Sequence, residues 1–296
     1  MKKVVTKPLN MLLFGSNNVT SLFIKNLLAN PVCSNLFNAI HLVEIKNKSH
    51  VFAVSALDHF QIITRWTHCN NIIKQSYEYG GYDIAIDAGF DHYFPPEIRT
   101  HFPLGLWRLH PALLRRQPNY NAIHNVVFLN DSDIAGITVL KLEGDGDLEG
   151  RILYEEYIRN HNSVDEYIEQ VCSKMADSVY HLLSKPVIKG EYIDIKLKDD
   201  LKLSNCIDVR MHTLKEIENL CRVYNDVHTY VGGEKLILNG VTPFKPYKYN
   251  TDVLDGEVIQ FSKKKIYIKC RDKIIVNKFS FSNKLQPNTK YYCTTK

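Results

Sequence analysis

Residues 105–114 read Gly105-Leu106-Trp107-Arg108-Leu109-His110-Pro111-Ala112-Leu113-Leu114. An apolar run carrying one arginine ends on a histidine, and a proline stops it at once. Proline has no N–H to give a sheet and holds the residue before it in extended backbone. The run therefore predicts a strand over 104–109 that delivers His110 to its carboxyl end. What that end faces depends on the segments around it.

Toward the amino terminus, strands alternate with helices. Residues 10–14 form a short apolar run that stops at Gly15-Ser16-Asn17, and Val19, Leu22, Phe23, Leu27 and Leu28 then recur at helical spacing. Strand, glycine turn and helix together open a βαβ unit. Residues 39–45 and 51–54 read as further strand, 62–74 as helix, and 82–89 as a buried strand entering a glycine turn; Pro95-Pro96 starts a short helix. Toward the carboxyl terminus, 121–130 reads as helix, 134–142 as strand, 143–150 as a Gly/Asp turn and 152–157 as extended chain. Ser163 with Glu166 three residues on marks a helix start, and that helix runs to about Leu183.

This order predicts an α/β fold for residues 1–185, a doubly wound and mostly parallel sheet. Ligands of such sheets bind beyond the carboxyl ends of strands, so His110 and the 143–150 turn are expected to share an edge. Residues 186–203, rich in Lys and Asp, read as a linker. Residues 204–296 carry a helix at 214–224 and then short strands at 236–238, 256–261, 264–269 and 273–279, a pattern that suits a small antiparallel β-barrel.

Composition narrows the classes. The chain has 296 residues, 45% hydrophobic and 23% charged. No apolar run reaches the ~18–20 residues of a membrane helix, and the apolar stretch 11–14 is too short for a secretory signal. Seven cysteines, an odd number without a Cys-x-x-Cys, favour a reducing compartment over a disulfide framework. The dispersed Cys and His predict no metal site. Net charge is +5, but residues 201–296 hold 17 basic and 9 acidic residues, a net of +8. A basic carboxyl-terminal module on a slightly acidic body points to a polyanion, with nucleic acid first, or to an ordinary solvated lysine surface.

The segment 108–114 is similar to the Asn-x-His-Pro-Ser-Leu-Leu signature of the folate-dependent formyltransferases, with Arg108 at the Asn position. Other segments follow in the order of the methionyl-tRNA formyltransferase family. Residues 9–16 resemble its opening strand and turn; Tyr82–Ile86 with Ala88-Gly89-Phe90, its folate-facing strand and turn; Phe102–Gly105, the approach to the signature. Gly136-Ile137-Thr138 resembles its Gly-Val-Thr strand, and Gly150–Leu153 the end of Asp-x-Gly-x-Ile-Leu. The resemblance implies a formyltransferase domain with an OB-like carboxyl-terminal domain that embraces tRNA. It also implies formyl transfer from 10-formyltetrahydrofolate to the amino group of Met-tRNA, in a bacterial cytoplasm or mitochondrial matrix.

That chemistry needs an Asn and a His to stabilise an oxyanion and an Asp to manage the proton. The resemblance retains His110, puts Arg108 in place of the Asn and Leu148 in place of the Asp, and leaves Asp147 as a possible substitute. It assigns folate contact to Ala88, Gly89, Phe90, Leu106 and Pro111. RNA contact falls to Lys46 and Lys48 and to Lys263, Lys264, Lys265, Lys269, Arg271 and Lys273, interleaved with Phe261 and Tyr267; lysines guarding an edge strand are the competing explanation. Losing one oxyanion donor costs ~10²–10³ in rate, so weak or absent transfer is expected. Three readings follow: a divergent methionyl-tRNA formyltransferase, with 10-formyltetrahydrofolate as cofactor if active; a non-catalytic RNA-binding or assembly protein; and a sugar-nucleotide N-formyltransferase.

Overall fold

The computed structural model describes residues 7–15, 17–45, 60–66, 81–90, 93–159, 163–185, 189–196, 198–238, 240–244, 253–261, 265–278 and 293–295. The chain forms two compact units. The first comprises Met1–Val126, Asp131–His161 and Asp165–Asp200, and the second Val127–Asn130, Asn162–Val164 and Leu201–Lys296.

The first unit is built on eight strands: β1 (Leu9–Phe14), β2 (Phe37–Ile45), β3 (Phe60–Trp66), β4 (Ile84–Asp87), β5 (Leu106–His110), β6 (Gly136–Leu142), β7 (Leu148–Tyr157) and β8 (Glu191–Ile195). They form one sheet in the order β3-β2-β1-β4-β5-β6-β7-β8. The pairs from β3 to β5 are parallel, and the pairs from β5 to β8 are antiparallel. Six strands therefore share one direction, with β6 and β8 reversed. The sheet is α/β and mostly parallel.

The sheet grows from β1 to β2 and β3 on one side and to β4 and β5 on the other, so strand order reverses between β1 and β4. A crevice opens outside the carboxyl ends at such a reversal. Asn17 follows β1, caps the helix Asn18–Ala29 and donates from Nδ2 to the Gly89 carbonyl after β4 at 3.1 Å. Gly89 has φ +93°, and a Cβ there would stand 2.6 Å from Asn17 Nδ2, so the turn requires glycine. The helix buries Val19, Phe23, Ile24 and Leu27. Beneath the crevice, Leu12, Phe14, Ala85, Phe90, Phe94, Leu106, Leu140 and Leu148 pack in one core.

Two expectations for this unit are corrected. Residues 62–74 were expected to be helical, yet Phe60–Trp66 is strand β3, paired parallel with β2. Adjacent β-branched Ile62, Ile63 and Thr64, flanked by aromatics, favour extended backbone over the helix that apolar spacing alone suggests; residues 67–74 lie outside the described residues. Residues 186–203 were expected to be a linker, but Glu191–Ile195 pairs antiparallel with β7 as strand β8 at the sheet edge. Ile193 is buried while Glu191, Tyr192 and Asp194 are exposed. Charge on an edge strand limits edge-to-edge association and makes it read as solvated chain.

The second unit holds the helix Leu214–Val223, closed at its start by a capping box between Thr213 and Glu216. Its strands are β9 (His228–Val231), β10 (Glu234–Ile237), β11 (Thr242–Phe244), β12 (Val258–Phe261), β13 (Lys265–Lys269), β14 (Ile274–Lys278) and β15 (Cys293–Thr294). They form a three-stranded sheet, β10-β9-β15, and a four-stranded sheet, β11-β14-β13-β12. Ile217, Leu220, Val231, Leu236, Ile266, Ile268 and Ile275 share its core. Among the described residues these are two small antiparallel sheets and not the closed barrel expected from the strand pattern. No helix among the described residues is long and apolar enough to cross a membrane.

Candidate active-site remnant

The carboxyl ends of β4 and β5 carry the charged residues of the site. Asp87 ends β4 and lies opposite Arg108 in the parallel register. Arg108 Nε donates to Asp87 Oδ2 at 2.7 Å, and the other oxygen of Asp87 accepts the Phe90 N–H at 2.9 Å. Arg108 Nη1 donates to the Asp147 carbonyl at 3.1 Å, and the guanidinium lies 5.6 Å from the Phe94 ring centre. Exposure is 2% for Asp87 and 8% for Arg108, so this ion pair sits in the interior. Removing one partner of such a pair costs ~3–5 kcal/mol, because a buried charge is left uncompensated.

Two residues beyond Arg108, His110 is 6% exposed, and its Nε2 lies 2.8 Å from the Gln117 carbonyl. A carbonyl only accepts, so Nε2 carries the proton and Nδ1 presents a lone pair. Burial, and secondarily the nearby Arg108 charge, drive the imidazole pKa down to about 4. His110 is a neutral acceptor at pH 7. Thr138 Oγ1 donates to the Ala112 carbonyl at 2.9 Å and accepts the Leu114 N–H at 3.0 Å, and Tyr167 donates to the Pro111 carbonyl at 2.9 Å. These contacts hold the turn that follows the histidine.

Arg99 organises the facing turn, with 1% exposure. Its Nε donates to the Phe94 carbonyl at 2.6 Å, and its Nη1 to the Gly144 and Gly146 carbonyls at 2.9 and 2.7 Å. Glu149 accepts the N–H groups of Asp145 and Gly146, both at 2.8 Å. Leu148, at 1% exposure, belongs to the core beneath.

A cavity of about 60 Å³ lies at this edge, lined by Asp87, Gly89, Phe90, Arg108, Leu109, His110, Pro111, Asn119, Tyr120 and Leu148. The structure thus brings together His110, Arg108, Leu148, Gly89, Phe90 and Pro111 of the residues picked out in the sequence. Ala88 and Leu106 are fully buried and outside the lining. Asp147 is also outside it, and its main-chain carbonyl is engaged by Arg108.

Three residues went unnoticed in the sequence: Asp87, Asn119 and Arg99. A signal existed for the first. Asp87 and Arg108 are the lone charges of β4 and β5, and a charge inside a buried strand needs a partner. Asn119 and Arg99 act through main-chain carbonyls of distant loops, which no local pattern reveals.

Of the residues expected to touch nucleic acid, Lys46, Lys48, Lys263 and Lys264 lie outside the described residues. Lys265, Arg271 and Lys273 are exposed in the second unit. Lys265, Tyr267 and Lys269 share the outer face of β13, opposite buried Ile266 and Ile268. Lys269 Nζ is engaged by Asp255 at 3.0 Å and by the Cys270 carbonyl at 2.8 Å. Among the described residues, no group of three or more His, Cys, Asp or Glu is placed to hold a metal ion.

No family model matches the sequence. Curated relatives include methionyl-tRNA formyltransferases of Borrelia duttonii (strain Ly) and Borrelia recurrentis (strain A1). Each is 26% identical over 207 residues, covering 66% of this chain. The match spans 65% of the length of those relatives. Among solved structures, the N-formyltransferase from Helicobacter canadensis in complex with folinic acid and dTDP-3-aminofucose superposes with a TM-score of 0.56 at 14% identity. It covers 91% of this chain and 99% of that one. HypX from Aquifex aeolicus in complex with tetrahydrofolic acid gives a TM-score of 0.54 at 13% identity, covering 92% of this chain and 44% of that one. A sugar N-formyltransferase from Shewanella sp. gives 0.53 at 16% identity, covering 78% and 96%.

Proposed function

We propose that this chain, a member of the folate-dependent formyltransferase superfamily, is a methionyl-tRNA formyltransferase-like protein in which formyl transfer is lost or very slow. The observation that carries this reading is the 2.7 Å bridge between Arg108 and Asp87. It ties down the residue standing where the family has an oxyanion-binding amide. Leu148 then leaves His110 without the carboxylate that would manage its proton. His110 itself gives its Nε2 proton to a main-chain carbonyl. An acyl-transfer transition state needs donors aimed at the developing oxyanion, and the aligned residues no longer supply that set.

Two of the solved neighbours are complexes with folinic acid and with tetrahydrofolic acid, which supports 10-formyltetrahydrofolate as the group this edge would take. The carbonyls of Gly144, Gly146 and Asp147, the main-chain acceptors of the turn facing the cavity, are taken by Arg99 and Arg108. The cavity of about 60 Å³ holds a few waters, at ~10–15 Å³ each. A folate ring that used these main-chain acceptors would have to displace the two arginines from them.

An RNA-binding role through the basic second unit is the retained function in this reading, in the bacterial cytoplasm or mitochondrial matrix that the family implies. The net of +8 over residues 201–296 supports a polyanionic partner over a sugar nucleotide. The test is formylation of Met-tRNA by the full chain with 10-formyltetrahydrofolate. Product at or below the uncatalysed rate is expected, with tRNA retained in a salt-dependent manner; robust transfer abolished by His110→Ala would overturn the reading.

A further inference from the structure

Two residues lining the cavity at the end of β5, Asn119 and His110, spend their donor atoms on main-chain carbonyls and keep an acceptor atom each. Asn119 is 4% exposed and lines it. Its Nδ2 donates to the carbonyls of Lys198 at 3.0 Å and Asp199 at 2.6 Å. Both partners only accept, so the amide orientation is fixed and Oδ1 points away from them. That oxygen has no hydrogen-bond partner among the described residues. His110 repeats the pattern with Nε2 on the Gln117 carbonyl and Nδ1 without a partner among the described residues. Both residues line the cavity, and their hydrogen bonds among the described residues use only Asn119 Nδ2 and His110 Nε2.

Charge completes the picture. Asp87 and Arg108 neutralise each other across 2.7 Å, and Arg108 directs Nε and Nη1 at protein oxygens. The wall therefore offers no uncompensated cation to an anion and no uncompensated carboxylate to an ammonium group. Gly89, Phe90, Leu109, Pro111 and Leu148 supply apolar contact around the two acceptors. With about 60 Å³, the space suits a group of a few heavy atoms.

We propose that this cavity binds a neutral, N–H-donating group of the carboxamide or urea class, held by Asn119 Oδ1 and His110 Nδ1. The proposal deepens the reading of the site as one that no longer stabilises an oxyanion, and rests on it to that extent. The two fail separately, because formyl transfer is read by product and this proposal by ligand.

Formamide and formate provide the test, being nearly the same size with opposite polarity at one atom. Each is titrated into the full chain at pH 7 while the His110 ring nitrogens are followed by NMR, with methylammonium as a third probe. Formamide is expected to saturate and move the Nδ1 signal, with at least about tenfold preference over formate, the discrimination that one mispaired buried polar group produces. His110→Phe, which keeps the ring and removes the acceptor, is expected to weaken formamide binding, read by calorimetry. Formate or methylammonium binding as tightly as formamide would overturn the proposal. So would the absence of saturation by formamide in the native chain, a result that needs no variant to interpret.

Discussion

Asp87 and Arg108 face each other across neighbouring parallel strands and close a 2.7 Å ion pair inside the protein. The buried arginine is thus matched by a buried carboxylate one strand away. Each is costly without the other. Arg108→Met is expected to destabilise the chain by ~3–5 kcal/mol at pH 7, measured by urea unfolding. The double variant Asp87→Asn/Arg108→Met is expected to recover most of that loss, since no charge then remains to be solvated. Additive single and double effects would show that the pair is not coupled.

His110 predicts a pH dependence of its own. Its pKa falls from 6.5 to about 4 on folding, chiefly through burial. The unfolded chain therefore binds a proton before the native one does. Stability from this group is complete above pH 6.5 and declines as pH falls toward 4, by about 3 kcal/mol in total at 1.36 kcal/mol per unit. Burial also lowers His41 and His124, which contribute with the same sign. The difference between the native chain and His110→Gln isolates the term: the variant should show a shallower loss between pH 6.5 and 4. Equal slopes would contradict the burial seen here.

Much of this site was readable from residue order. The βαβ opening, the strand ending at His110 and the helix ending at Leu183 follow from apolar spacing and from where glycine and proline stand. Strand β8 was not readable, because a charged edge strand and a solvated linker share one composition and only pairing with β7 separates them. Nor was strand β3, where a short β-branched run satisfies both periods. At the site, the strand and the His110 end put Arg108 on the sheet edge, but nothing local announced its ion pair. Its partner Asp87 lies 21 residues away, and only the register of β4 on β5 puts the two side by side.

Arg99 fixes the turn that feeds Asp147 to Arg108, using one planar guanidinium on three carbonyls. A lysine carries the same charge but not the fork. Arg99→Lys is therefore expected to cost ~1–3 kcal/mol, the range for a buried group left without its hydrogen bond. It should also speed amide exchange at Asp145 and Gly146 more than in β6. Unchanged exchange in that turn would assign its order to the Glu149 contacts instead.

If the second unit binds RNA as proposed, its exposed basic residues are the ones to probe. Lys269 is engaged by Asp255 and the Cys270 carbonyl, whereas Lys265, Arg271 and Lys273 are exposed. Removing an exposed charge that meets a phosphate should weaken tRNA binding across sequences and reduce the slope of log K against log salt by about 1. Arg271→Ala and Lys273→Ala should each behave so, with unfolding midpoints unchanged, and Lys265→Ala should show the same loss of salt slope. Lys269→Ala should do the reverse, lowering stability by ~0.5–1.5 kcal/mol for the lost contacts while leaving the salt slope within error. If Lys269→Ala alone weakens RNA binding, the Asp255 bridge opens on contact and the outer face of β13 is the interface. If none of the four alters it, the excess charge of this unit is a solvated surface, and RNA contact must be sought outside the described strands.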